Sequence, residues 1–199
     1  MTNGRPPVIE NDMEKETSCI NARAILDYVR VHKGSDAVQH LIEDLHPEVE
    51  DLLDPEGFLR DPNNWTSCAV MAKLYGRAKV LLNDEMTAFH IARYAMTQSS
   101  MGYTQRLILK GFWSVDKILH NLQQVNDQWN RNKVVDVVET HRKGAVVRLF
   151  WHAHMKSNKD LCLNSQGVYT YSPTIWGANR SRSPNDVVTL RGPPIANMI

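Results

Sequence analysis

Residues 133–140, KVVDVVET, and 145–151, AVVRLFW, decide the fold class of this chain. β-Branched and aromatic side chains crowd both runs, and such residues suit a pleated, half-buried surface. Arg142-Lys143-Gly144 between them is a short glycine-bearing turn, so the pair predicts an antiparallel hairpin. Beyond it, Lys159 to Tyr171 predicts one more helix, with Leu161, Leu163, Val168 and Tyr169 on its packed side.

Upstream of the hairpin the pattern is helical. Ile20 to about His32 carries Ala24, Ile25, Tyr28 and Val29 on helical spacing, and Gly34 closes that helix. Ser35 is read as the cap of a second helix, whose Val38, Leu41, Ile42 and Leu45 form one apolar stripe. His46-Pro47 ends it, and Pro47 suits the first turn of a short third helix. Residues 54–57, DPEG, and 61–64, DPNN, read as loop chemistry. Thr66 or Ser67 then caps a helix running to about Leu82, its apolar side formed by Val70, Met71, Leu74, Tyr75 and Leu81. Asn83-Asp84 breaks and recaps the chain before a helix carrying Met86, Phe89, His90, Tyr94 and Met96. Two more helices are expected, from Tyr103 to Lys110 and from Ser114 to about Leu122.

The expected fold class is therefore α+β: an N-terminal cluster of about six or seven helices packed on a small C-terminal antiparallel sheet. Residues 1–17 read as a disordered leader, 18–176 as the domain, and 177–199 as an irregular tail or incomplete C-terminal segment.

Composition narrows the function classes. Of 199 residues, 42% are hydrophobic and 23% charged, which is ordinary globular usage for a chain able to bury a sizeable core. A formal net charge of +1 offers no basic field for nucleic acid. The longest apolar runs fall well short of the ~18 residues a membrane span needs. The N-terminus lacks the apolar core of a secretory signal, so cytoplasmic residence is the expectation. Cys19, Cys68 and Cys162 are too dispersed for a zinc motif and imply no disulfide framework.

Catalytic motifs are missing. There is no phosphate-binding glycine loop, no G-x-S-x-G elbow and no H-E-x-x-H pair, so the expectation is a protein that is not an enzyme and has no catalytic residues. His152 and His154 alternate at a strand end without an obvious third ligand, and a solvated pair is the reading preferred over a metal site. His90 lies in FHIARYAM, surroundings that admit an axial haem ligand as well as a hydrogen-bonded core histidine; His40 and His120 are weaker candidates of the same type. Arg131, Lys133, Arg142, Lys143 and Arg148 cluster near the hairpin and read as solvated strand-face charge, with Arg148 facing Asp136 or Glu139 across the strands.

Six segments carry a resemblance: CINARAILDYVR (19–30), DPNNWTS (61–67), NRNKVV (130–135), AVVRLFW (145–151), KDLCLNSQGVY (159–169) and PTIW (173–176). Together they resemble the N-terminal sensory domain that precedes histidine kinase and nucleotide cyclase modules in environmental bacteria, of deltaproteobacterial type. That domain is similar to the four-vinyl reductase and haem-NO-binding group of ligand sensors. The resemblance implies helices and a small antiparallel sheet enclosing a pocket for a small hydrophobic or cofactor-like molecule. It also implies a partner output domain, which this sequence does not contain, and a homodimer as one means of relay. Since no further strand pair and no output module follow Trp176, the expectation is an input domain cut short there, with a frameshift near Gly177 or a stand-alone input domain as the alternatives.

Residue type and expected face nominate Trp65, Met71, Tyr75, Phe89, His90, Tyr94, Trp113 and Phe150 as pocket lining. The identity of any cofactor stays open, with haem one candidate and a haem-binding gas sensor the corresponding function. The alternative is a ligand-free interaction or dimerisation domain. An unfamiliar enzyme using His152 or His154 stands behind both.

Overall fold

The computed structural model describes residues 15–98, 119–141, 144–152, 155, 158–175 and 189–190. The expected helices at 103–110 and 114–122, apart from the last residues of the second, lie outside them, as does Trp113. In chain order the elements are β1 (Thr17–Ser18), α1 (Cys19–Lys33), α2 (Ser35–Ile42), α3 (Pro47–Glu50), α4 (Pro55–Arg60), β2 (Trp65–Thr66), α5 (Cys68–Leu82) and α6 (Thr87–Gln98). Then follow α7 (Leu122–Asp127), β3 (Lys133–His141), β4 (Gly144–Trp151), α8 (Lys159–Ile175) and β5 (Thr189–Leu190). The architecture is α+β, with a helical N-terminal part and the main sheet C-terminal, as the sequence pattern predicts.

Local chemistry sets the boundaries. Ser18 caps α1 by accepting the Ile20 N–H at 3.2 Å, and Gly34 ends the helix at φ 88°, a conformation that a side chain would strain. Gly34, not Ser35, precedes α2; Ser35 is the first helical residue and makes no cap bond. The α2 end is closed instead from α5, where the Arg77 guanidinium donates to the carbonyls of Leu41, Glu43 and Asp44. Residues 54–57 are not a loop. Asp54 accepts the Gly57 N–H at 2.8 Å and Pro55 occupies the first turn of α4, because Asp-Pro serves a helix start as well as it serves a turn. Arg60 on α4 then reaches Asp27 on α1 and its own-helix Glu56, both at 2.6 Å, which locks the two helices together.

Ser67 caps α5 by accepting from the Val70 N–H at 3.3 Å. Ser67→Ala should cost about 1 kcal/mol of unfolding free energy in a urea titration, the usual loss for a helix N-cap. Asn83 takes the left-handed conformation at the α5 C-terminus, and Asp84 accepts the Met86 N–H at 2.9 Å to start α6.

The main core lies among α1, α2, α5 and α6, with Ile25, Leu26, Val29, Val38, Met71, Leu74 and Ile91 all buried. A smaller core under the hairpin joins Leu122, Val135, Val147 and Tyr169. β3 and β4 pair antiparallel from Lys133↔Trp151 to His141↔Gly144, with an irregularity between Val137 and Glu139. β5 adds a short parallel third strand beside β4, so two residues of the expected tail belong to the sheet. Likewise, the expected leader boundary falls too late. The Glu16 N–H donates to the Thr66 carbonyl at 3.1 Å, and Thr17 pairs with Thr66 on one side and bridges Asn130 on the other. Among the described residues no helix is long and apolar enough to cross a membrane.

Candidate functional site

The strand period places Lys133 in phase with Val135 and Val137, on the face that turns inward. The structure follows that phase. Lys133 is 5% exposed, although its charge made it read as solvent-facing. Its ammonium lies 5.1 Å from the centroid of the Trp151 ring, directly across the hairpin. No carboxylate pairs with it among the described residues. Burial lowers its pKa from 10.5 to about 8.

Around Lys133 the helical layer meets the hairpin in a polar seam. Thr17 of β1, Asn21 of α1, Cys68 and Tyr75 of α5, Asn132 and Lys133 beside and in β3, and Asn164 and Ser165 of α8 border one small cavity. Its volume, traced by the centre of a water, is about 10 Å³, which is about one water. Most of the amides are engaged. Asn21 donates to Thr17 Oγ1 at 2.9 Å and to Asn130 Oδ1 at 3.3 Å. Asn132 Nδ2 donates to Cys68 Sγ at 3.1 Å, while the buried Asn132 Oδ1 has no partner among the described residues. Desolvation pushes the Cys68 thiol up to about 12, so it stays protonated, and it holds the Tyr75 phenol neutral as well. A neutral thiol and a neutral phenol leave Lys133 as the one charged group among the described residues of the lining.

The residues nominated from sequence do not converge on one pocket. Met71 and Tyr75 border the seam. Trp65 sits at the rim of the short β1–β2 sheet under the Arg131 guanidinium, 4.2 Å from its ring centroid. Phe89 meets Tyr171 edge-on, and Tyr94 meets Tyr28, so both brace helix pairs. His90 is partly exposed with Asp84 3.6 Å away, and it faces no enclosed pocket among the described residues. Phe150 is 44% exposed on the outer face of the hairpin. His40 lines a separate open groove between α2 and α5, about 560 Å³ in volume, with Lys73, Arg77 and Val80. No group of three or more His, Cys, Asp or Glu side chains among the described residues is placed to hold a metal.

Sequence reading missed Lys133, Asn132 and the α8 pair Asn164 and Ser165. The signal for Lys133 was its even spacing from two valines; nothing local marks the others, since only the packing of α8 on α5 and α6 brings them to the seam. No protein-family model matches the chain, and no curated protein matches it.

Proposed function

We propose that this chain is a ligand-responsive input module whose ligand seats in the seam between the helical layer and the hairpin. One observation carries this reading: a polar cavity with an unpartnered buried amide oxygen, Asn132 Oδ1, lies where α1, α5, α8 and the hairpin all meet. Buried polar groups are normally satisfied, and exceptions concentrate where something else binds. A molecule bound there touches both layers at once, so it favours one packing of the hairpin on the helices over another. Differential affinity of that kind is what a sensor needs. The resemblance to bacterial sensory domains supports the same reading and adds an output partner that receives the change. The ligand expected here is smaller and more polar than the hydrophobic molecule the resemblance implies, because the seam is lined by amides and hydroxyls.

The test is a thermal-shift screen of small acids, amines and neutral polar compounds, run on the parent protein and on Asn132→Leu. Leucine matches the shape of asparagine and removes the unpartnered oxygen, so the variant should fold. The expected result is a compound that raises Tm in the parent and not in the variant. If every compound acts equally on both, the seam is a packing defect and the reading fails.

A further inference from the structure

The seam has a charge it does not balance. Among the described residues its lining includes amides, hydroxyls, a thiol and one ammonium, and no aspartate or glutamate. The acids nearest to it are committed elsewhere: the Glu16 carboxylate accepts the Cys68 N–H at 2.8 Å, and Asp160 on α8 lies 3.7 Å from the Lys79 ammonium. Other titratable groups packed around Lys133 are Cys68, Tyr75 and Cys162, all held toward their neutral forms by burial. A cation withdrawn from water without a counter-charge is expensive, and the face of one tryptophan offsets only part of that cost.

The donors suit an anion. Asn132 gives one N–H to Cys68 as drawn. A half-turn of that amide lets the protonated thiol donate to the amide oxygen instead, and it swings the NH₂ group into the position of the unpartnered atom. Ser165 is 3% exposed and borders the same space. Residues that carry an ammonium, an amide NH₂ and a hydroxyl thus line a volume of about one water.

We propose that the seam binds a small monoanion of halide size, held by Lys133 with Asn132 and Ser165. This rests on the seam being the ligand site and names the class of ligand. Nitrate, acetate and sulfate, each several atoms across, exceed a volume of about one water, and sulfate also carries twice the charge of the single cation.

The experiment measures thermal melting of the full chain at pH 7 in sodium gluconate, with chloride, nitrate, acetate or sulfate substituted at constant ionic strength. The expected result is a saturable rise in Tm with chloride and none with nitrate, acetate or sulfate. Lys133→Met should abolish the rise, and it should fade in the parent as pH passes the Lys133 pKa of about 8. A rise with acetate or nitrate equal to that with chloride would overturn the halide assignment, because neither fits the volume of one water. Chloride-35 line broadening on the parent protein, displaced by bromide and lost at alkaline pH, gives the same answer should Lys133→Met fail to fold. The proposal is overturned if Lys133→Met responds like the parent, or if sulfate stabilises most, as general salt effects dictate. Should these anions do nothing while an uncharged compound gives an Asn132-dependent shift, the seam survives as a ligand site and the anion class falls. If neither acts, both readings fall together.

Discussion

In chloride-free buffer at pH 7, Lys133→Met should be more stable than the parent by about 2–3 kcal/mol, and the advantage should vanish as the pH approaches 10.5. The Lys133 pKa falls from 10.5 to about 8 on folding, so the unfolded chain binds more protons between those values. Stability contributed by this site therefore rises with pH through that window. Below pH 8 both states are charged, and the folded protein bears the full cost of a buried ammonium, about 3 kcal/mol at the usual conversion. The Trp151 ring returns some of it. Methionine keeps the length of the side chain and discards the charge. Cys19 and Cys68 act in the opposite sense. Their folded pKa values are raised from 9.0 to about 12, so the stability they hold is complete below pH 9 and is lost as pH rises toward 12. The parent should thus gain slightly between pH 8 and 9 and weaken above, whereas Lys133→Met should only weaken. Urea titrations of both proteins across pH 6–10.5 measure the difference, in which the cysteine contribution cancels. A variant less stable than the parent at pH 7 would mean that Lys133 is already neutralised inside the fold.

A second large effect is expected where α8 crosses α6. A Cβ built on Gly167 lies 2.6 Å from the Ala92 Cβ and 2.8 Å from the Phe89 carbonyl oxygen. The obstacle is largely the backbone of α6, which cannot rotate away as a long side chain can. Gly167→Leu should cost about 3 kcal/mol or more, beyond the usual range for one overpacked site, because the helices must separate to admit it. Hydrogen exchange should show the loss first in the amides of α6 and α8. Gly76, in the middle of α5, is the control. A Cβ there meets nothing within 4 Å, so Gly76→Ala should stabilise by about 0.5–1 kcal/mol through helix propensity alone. Equal behaviour of the two glycines would mean that α6 and α8 are not in close contact in solution.

How far the sequence could be read depended on whether the deciding information was local. The hairpin, the Gly34 and Asn83 helix ends and the Ser67 cap are each written in a few adjacent residues, and each appears where its chemistry placed it. Asp54-Pro55 failed because the same dipeptide opens turns and helices; the choice is made by Leu59 finding a buried seat, which is a tertiary event. The pocket nominations scatter for a related reason: Met71 and Tyr75 border the seam, while Trp65, Phe89, Tyr94 and Phe150 lie elsewhere. Aromatic and methionine side chains suit a core and a cavity wall equally, and type does not reveal which way Phe89 or Tyr94 leans. Lys133 was legible in principle, since its phase with Val135 and Val137 outweighs its charge once the inward face of the hairpin is known. Asn164 and Ser165 were not, because they reach the seam only through the crossing of α8 over α6.

The two-residue strand β1 holds positions distant along the chain. Ser18 N–H donates to the Trp129 carbonyl at 2.9 Å, and Arg131 N–H to the Glu16 carbonyl at 2.8 Å, while the opposite edge pairs with β2. During synthesis, β2 emerges early and can meet β1 while α5 is still forming. The other edge of β1 has no mate until residues 129–131 leave the ribosome. For that interval the helical layer carries an open strand edge near its N-terminus. On the ribosome the seam itself can close only later, once α8 brings Asn164 and Ser165 to its border.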